Sequence, residues 1–234
     1  MPEAESYLAN ISSLGERALV VRLGDRIDVE TFRRVYALSR QLEDNRLAGI
    51  IECVPAFTTV TVHFDPLQRT TVQMRQALEQ ALAQLDVVDV PPQRAVSIPV
   101  CYGGDFGEDL EFVARQRGLT CAEVIEIHSG VEYLVYMLGF APGFPYLGGM
   151  SPRIATPRRE TPRVKTPAGS VGIAGEQTGV YPIETPGGWQ LIGRTPLALF
   201  RPQEHPPTLL LPGDTVRFAP ITAQQFHDMC EYPR

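Results

Sequence analysis

The chain changes its hydrophobic grammar near its middle. ALVVRL (18–23) is a short β-branched run after Gly15 and predicts a strand. DVETFRRVYALSRQLEDN (28–45) has an acidic start and places Phe32, Val35, Leu38 and Leu42 at helical spacing, with Asp28 as N-cap. GIIECVP (49–55) reads as a strand. TTVTVHFDP (58–66) alternates polar and apolar residues and reads as a half-buried strand. TTVQMRQALEQALAQL (70–85) predicts a second amphipathic helix with Val72, Met74, Leu78, Leu82 and Leu85 apolar. The order strand, helix, strand, strand, helix predicts a small two-layer α+β domain. The tandem prolines of VVDVPPQR (87–94) then mark a boundary between a first domain, 1–90, and a second, 95–234.

The second part opens with the strand AVSIPVCY. GEDLEFVARQRGLT (107–120) predicts a helix ending near Gly118 with Leu110, Phe112, Val113 and Leu119 apolar. CAEVIEIHSG (121–130) predicts another that starts at Thr120 or Cys121. VEYLVYML is a strand. Of 20 glycines and 21 prolines, 27 fall after residue 138, so the rest of the chain is short apolar runs cut by turns: SVGIAG, GVYPIE, WQLIG, LALF, TLLL and TVRFAP. Such spacing predicts a barrel or a sandwich. Thr-Pro recurs every five residues in ATPRRETPRVKTPAG, and proline holds itself and its predecessor extended, so this stretch predicts an arm or edge segment.

Composition removes several function classes. The 234 residues hold 44% apolar positions, enough for a core, and a formal net charge of -6, against the basic face of a nucleic-acid binder. The four cysteines, Cys53, Cys101, Cys121 and Cys230, have neither zinc-site nor disulfide-framework spacing and read as reduced thiols. No apolar run reaches membrane-spanning length, and the acidic start MPEAES is unlike a signal peptide, so a cytoplasmic protein is expected. GxxxxGK[ST], HExxH, GxSxG and EF-hand patterns are absent, and the histidines lack metal-ligand spacing.

Three stretches carry candidate chemistry. Arg158, Arg159, Arg163 and Lys165 alternate with the prolines of the arm, either as a solvated loop or as an anion site. His128 closes a helix, where it serves as a dipole partner or as a general acid or base. Residues 168–200 place Gln177 and Thr178 on a glycine-flanked turn, followed by Tyr181, the single Trp189 and Arg194. That set describes either glycine-rich hairpins around a core tryptophan or a small-molecule pocket with aromatic walls and a guanidinium. GFAPGFPYLGG (139–149) puts Phe140, Phe144 and Tyr146 on a loop stiffened by Pro142 and Pro145, although a plain connector is usually polar.

GFAPGFPYLGG, PAGSVGIAGEQTGVYPIETPGGWQLIGRTPL and LLPGDTVRF, with GERALVVRLGD and IPVCYGGDFGEDLEFVA earlier, resemble the family known as KipI, allophanate hydrolase subunit 1 or the B component of 5-oxoprolinase. The resemblance implies a small two-layer α/β N-terminal domain followed by a cyclophilin-like β-barrel. It implies a B component that acts with a KipA-like C component and with an A component to hydrolyse 5-oxoproline to glutamate at the expense of ATP. ATP would be shared with the complex and not held by this chain alone. Alternatives within the family are an inhibitor of a sporulation histidine kinase and an accessory of urea or allophanate metabolism. On this reading His128, Gln177 and Arg194 are the catalytic candidates, and Thr178, Tyr181, Trp189, Arg163 and Lys165 the substrate contacts. Phe140, Pro142, Phe144, Pro145 and Tyr146 are expected to meet the partner, because aromatics pre-ordered by proline lose little entropy on docking. The alternative is that the phenylalanines fold into the chain's own core.

Overall fold

A computed structural model describes residues 11–45, 47–87 and 94–232. The chain divides into two compact units, Met1–Pro91 and Pro92–Arg234. The boundary segment read from 87–94 and the acidic N-terminus fall largely outside the described residues.

The first unit is a four-stranded antiparallel sheet with two helices. Its elements are β1 (Ile11–Ser13), β2 (Ala18–Arg22), α1 (Val29–Asn45), β3 (Ile50–Pro55), β4 (Thr59–Phe64) and α2 (Thr71–Ala83), and the strand order is β1-β2-β4-β3. Leu19 and Val21 of β2 and Val60, Val62 and Phe64 of β4 alternate onto the helix-covered face. The predicted stripe of α1 is buried at Phe32, Val35, Leu38 and Leu42. Asp28 caps that helix by accepting from Thr31 N–H at 2.8 Å. In α2 the buried face is Met74, Leu78 and Leu82, four residues apart. Val72, expected on that face, lies on the opposite side of the helix and is exposed.

The second unit is a closed barrel. Its elements are β5 (Ala95–Tyr102), α3 (Leu110–Arg117), α4 (Cys121–Ser129), β6 (Tyr133–Leu138), β7 (Pro145–Gly148), β8 (Arg163–Thr166), β9 (Ser170–Ala174), β10 (Gln177–Val180), β11 (Thr185–Gly187), β12 (Gln190–Arg194), β13 (Thr215–Pro220) and α5 (Ala223–Glu231). Around the barrel the order is β10-β7-β6-β13-β5-β12-β9. β13 runs parallel to β5, from Thr215↔Ala95 to Pro220↔Val100, and the other described pairings are antiparallel. Branched and aromatic side chains such as Val100, Tyr133, Val171, Ile192 and Phe218 fill the interior, with α3 against β12 and α4 against β13. The Thr-Pro arm is extended as expected. Its end, β8, pairs with β11 as a separate two-stranded sheet. LALF and TLLL, expected as strands, meet only at one bridge, Phe200↔Thr208.

Candidate active-site cleft

The aromatic loop is a hairpin between β6 and β7, closed by the Leu138↔Pro145 pair. Gly139 N–H donates to Phe144 C=O at 3.1 Å, and Ala141 N–H donates to Gly139 C=O at 2.7 Å. The second bond is a γ-turn centred on Phe140, whose φ is +66°, a conformation costly for a bulky residue. The turn splits the aromatics. Phe144 points inward, 2% exposed, and stands edge-on to Tyr146, Tyr181 and Trp189 with ring centroids 5.2–5.4 Å away. Gly179 makes room for it, since a Cβ there would lie 3.0 Å from Phe144 Cζ. Pro145 is buried as well. Phe140 stands outside, 65% exposed, with Pro142 exposed and Tyr146 half-buried. Of the five residues expected to meet a partner, Phe144 and Pro145 therefore belong to the chain's own core. Only Phe140, Pro142 and part of Tyr146 present surface.

Beside this loop lies a cleft of about 290 Å³. Phe140, Phe144, Tyr146, Tyr181 and Trp189 form its walls, Gly187 and Gly188 contribute backbone, and Arg158 and Arg159 supply its charge. Gly187 is required by the packing. A Cβ there would come within 2.5 Å of Tyr181 Oη and 2.8 Å of Thr166 Oγ1. Burial raises the Tyr181 phenol pKa, offset in part by the Trp189 backbone N–H and by the Arg158 and Arg163 charges. A second groove, about 760 Å³, runs between α5 and residues 196–204. It is larger, but its cation Arg201 is paired with Glu204 at 3.2 Å, so the smaller cleft has the better chemistry.

One carboxylate that sequence inspection passes over organises the cleft's edge. Asp109 precedes α3 and makes no capping bond to it. Its Oδ1 accepts from Arg159 Nη1 at 3.0 Å. Its Oδ2 accepts from Arg163 Nη2 at 2.7 Å and from Leu191 N–H at 2.6 Å. Arg163 Nη1 also donates to Trp189 C=O at 3.2 Å, and Arg159 N–H to Gly188 C=O at 2.8 Å. The arm is thus tied to the segment that carries Trp189. Arg163, expected as a substrate contact, is thus engaged within the chain by Asp109 and the Trp189 carbonyl. Lys165 is likewise engaged, with Glu184 at 3.0 Å on the exposed surface, and neither Arg163 nor Lys165 lines the cleft.

His128 lies elsewhere. It is fully buried in the barrel and stacks on Phe218 at 4.5 Å. Thr178 Oγ1 donates to Gly172 C=O at 3.0 Å, so its oxygen accepts from His128 Nε2–H at 2.9 Å. The Nδ1 atom is then unprotonated and accepts from Tyr102 Oη–H at 2.8 Å. Burial lowers the His128 pKa to about 3, so the ring is neutral at physiological pH. A neutral imidazole with both nitrogens bonded to hydroxyls packs here as a buried strut of the barrel, and His128 does not line the aromatic cleft. Thr178, fully buried in the same chain of bonds, does not line the aromatic cleft.

Gln177 and Arg194 are also outside the cleft lining. Gln177 flanks the β9–β10 turn opposite Ala174, and Arg194 Nε donates to Ala168 C=O at 2.9 Å at the end of β12. Of the predicted pocket residues, Tyr181 and Trp189 are brought together and joined by the aromatic loop. Arg158, named only as part of the basic arm, joins them. Among the described residues no group of three or more His, Cys, Asp or Glu side chains could hold a metal ion, and no helix is long and apolar enough to cross a membrane. All four cysteines are unpaired, and burial raises the Cys53 thiol to about 11.

Fold and site together define an α+β protein whose closed barrel carries an aromatic cleft edged by arginines. Residues 9–210 match the carboxyltransferase domain family, subdomain C and D, and the chain belongs to that family. It is 52% identical over 227 residues to the B subunit of 5-oxoprolinase from Bacillus subtilis, covering 93% of this chain and 95% of that protein. It is 43% identical over 220 residues to the B subunit of 5-oxoprolinase from Escherichia coli O157:H7, covering 94% and 97%. Among solved structures, the urea carboxylase of Kluyveromyces lactis superimposes with a TM-score of 0.77 at 22% identity, over 94% of this chain and 22% of that one, a likeness of fold. The family read from GFAPGFPYLGG and the long glycine-rich motif is thereby established.

Proposed function

We propose that this chain is the B component of an ATP-dependent 5-oxoprolinase, acting in the cytoplasm with a KipA-like C component and with an A component to open 5-oxo-L-proline to L-glutamate. The observation that carries the reading is 52% identity along nearly the whole length of a protein named as a B subunit of 5-oxoprolinase. The chemistry agrees with a divided enzyme. A lactam is a stable amide. Phosphorylation of its carbonyl oxygen by ATP, with release of ADP, activates the carbon to attack by water. The tetrahedral adduct expels the protonated ring nitrogen, and hydrolysis of the resulting acyl phosphate gives glutamate and inorganic phosphate. Such a site must hold a carboxylate, a developing oxyanion and phosphate together. This chain contributes a small aromatic cleft with cationic groups and has no GxxxxGK[ST] sequence for a nucleotide. ATP is therefore assigned to the other components or to a site shared with them.

The exposed lip of the cleft suits a chain that works in a complex. Phe140 is an exposed large aromatic on a tightly bonded turn, the kind of pre-ordered anchor that docking favours. Mixed with the KipA-like and A components, this chain is expected to elute from size-exclusion chromatography in one peak with its partners. Elution at its own 25.9 kDa in their presence would argue against the assignment.

A further inference from the structure

We propose that the aromatic cleft is this chain's own binding site for a small ring-bearing carboxylate, with Arg158 as the group that receives the anion. The inference rests on the 5-oxoprolinase reading only for the choice of 5-oxo-L-proline as that carboxylate. Four cations populate the arm, and the structure separates them. Arg159 and Arg163 are committed to the two oxygens of Asp109, with Glu108 3.4 Å from Arg163. Lys165 is committed to Glu184 and stands away from the cleft. Arg158 lines the cleft, is exposed, and among the described residues has no carboxylate within ion-pairing distance. Its charge reaches the cavity wall, where it acts on the Tyr181 phenol.

The rest of the cavity fixes the ligand class. Five aromatic rings form its walls, which suit an apolar ring or methylene body. About 290 Å³ is at the small end of ligand pockets and well short of what a nucleoside triphosphate fills. A guanidinium beside such walls selects a ligand that is anionic at one end and apolar at the other, and its planar fork matches a carboxylate in bidentate fashion. An isolated cation with two neutralised neighbours gives the site one anchoring point. That pattern describes a monocarboxylate better than a polyanion.

The full chain holds one tryptophan, Trp189, in the cleft wall, so its fluorescence reports on ligand entry. Titration with 5-oxo-L-proline is expected to saturate. 2-Pyrrolidinone, the same ring without the carboxylate, is expected to bind roughly 10- to 100-fold more weakly, the loss of one charge-assisted contact. Arg158→Gln is expected to weaken 5-oxoproline binding by the same factor with the urea midpoint unchanged, and Arg158→Lys to recover part of it. Ligand-observed NMR on the same samples covers binding that leaves the fluorescence unmoved. Equal affinity for the acid and the lactam, an Arg158→Gln chain that binds like the parent, or no binding by either method would overturn the inference. The two proposals fail separately. Turnover that requires this chain but shows the same KM in Arg158→Gln removes the cleft assignment alone. Carboxylate binding without turnover by the complete complex removes the 5-oxoprolinase reading alone.

Discussion

Asp109→Ala is expected to cost the barrel unit about 3 kcal/mol of stability and to loosen the arm from the cleft. The carboxylate is nearly buried, its side chain 8% exposed, and three donors converge on it. Removing it leaves the Arg163 guanidinium, 14% exposed, without its nearer acid and leaves Leu191 N–H without its acceptor. The cost stays near the lower end for a broken buried pair, because Arg159 is 38% exposed and water can replace its partner. Asp109→Asn keeps one carbonyl oxygen for Leu191 N–H but loses the charge that holds both arginines, so an intermediate loss is expected. Urea unfolding followed by Trp189 fluorescence measures this directly, since the only tryptophan lies in the barrel unit. A midpoint unchanged in Asp109→Ala would show that the two ion pairs contribute nothing net.

The second large effect is acid sensitivity. Burial holds His128 near pKa 3 in the folded barrel against 6.5 for an exposed histidine. Between those values the unfolded chain binds a proton that the folded chain refuses, so stability falls as pH falls. The His128 contribution is complete above pH 6.5. By pH 4.5 about 3 kcal/mol is lost, and the loss deepens toward pH 3. The capping carboxylates act in a separate window. Backbone N–H groups lower Asp28, through Thr31, and Glu123, through Thr120, from 3.8 and 4.5, so their contributions disappear only as pH falls below those ordinary values. His128→Gln, which keeps one donor and one acceptor near Tyr102 and Thr178, is expected to flatten the stability profile between pH 6.5 and 4.5. An identical acid slope in the variant would assign the titration to other groups.

How much of this was legible in the sequence depended on how local the cause was. The α1 face, the Asp28 cap, the Thr120 start of α4 and the left-handed Gly118 at the end of α3 follow from residues within a turn or two of one another, and each is present. The same logic was available for α5, where Thr222 and Gln225 form a capping box, but a short helix after the last strand has no periodic run long enough to announce itself. β7 hides inside a proline-rich loop because Pro145 occupies the strand's first position, where a missing N–H is tolerated. LALF and TLLL have strand composition. Pro202, Pro206, Pro207 and Pro212 around and between them restrict the backbone and remove donors, and one bridge is what remains.

The site was harder to see, and for a physical reason. Asp109 meets arginines 50 and 54 residues later, a distance no motif spans. His128 sits beside a serine and a glycine in sequence but beside Tyr102, Thr178 and Phe218 in space. Composition supplied the right ingredients for the cleft, namely the aromatic loop, Tyr181, Trp189 and the basic arm. Pairing decided which of those cations remains available, and pairing is a tertiary property. The backbone turn at Phe140 likewise decided which phenylalanine faces out.

The most direct test of the central claim is turnover by omission. This chain and the KipA-like and A components are mixed with ATP and 5-oxo-L-proline, and glutamate and inorganic phosphate are followed while each protein is left out in turn. Glutamate and phosphate are expected to appear together from the complete mixture, and glutamate to disappear when this chain is withheld. Glutamate released at an undiminished rate without it would contradict the account.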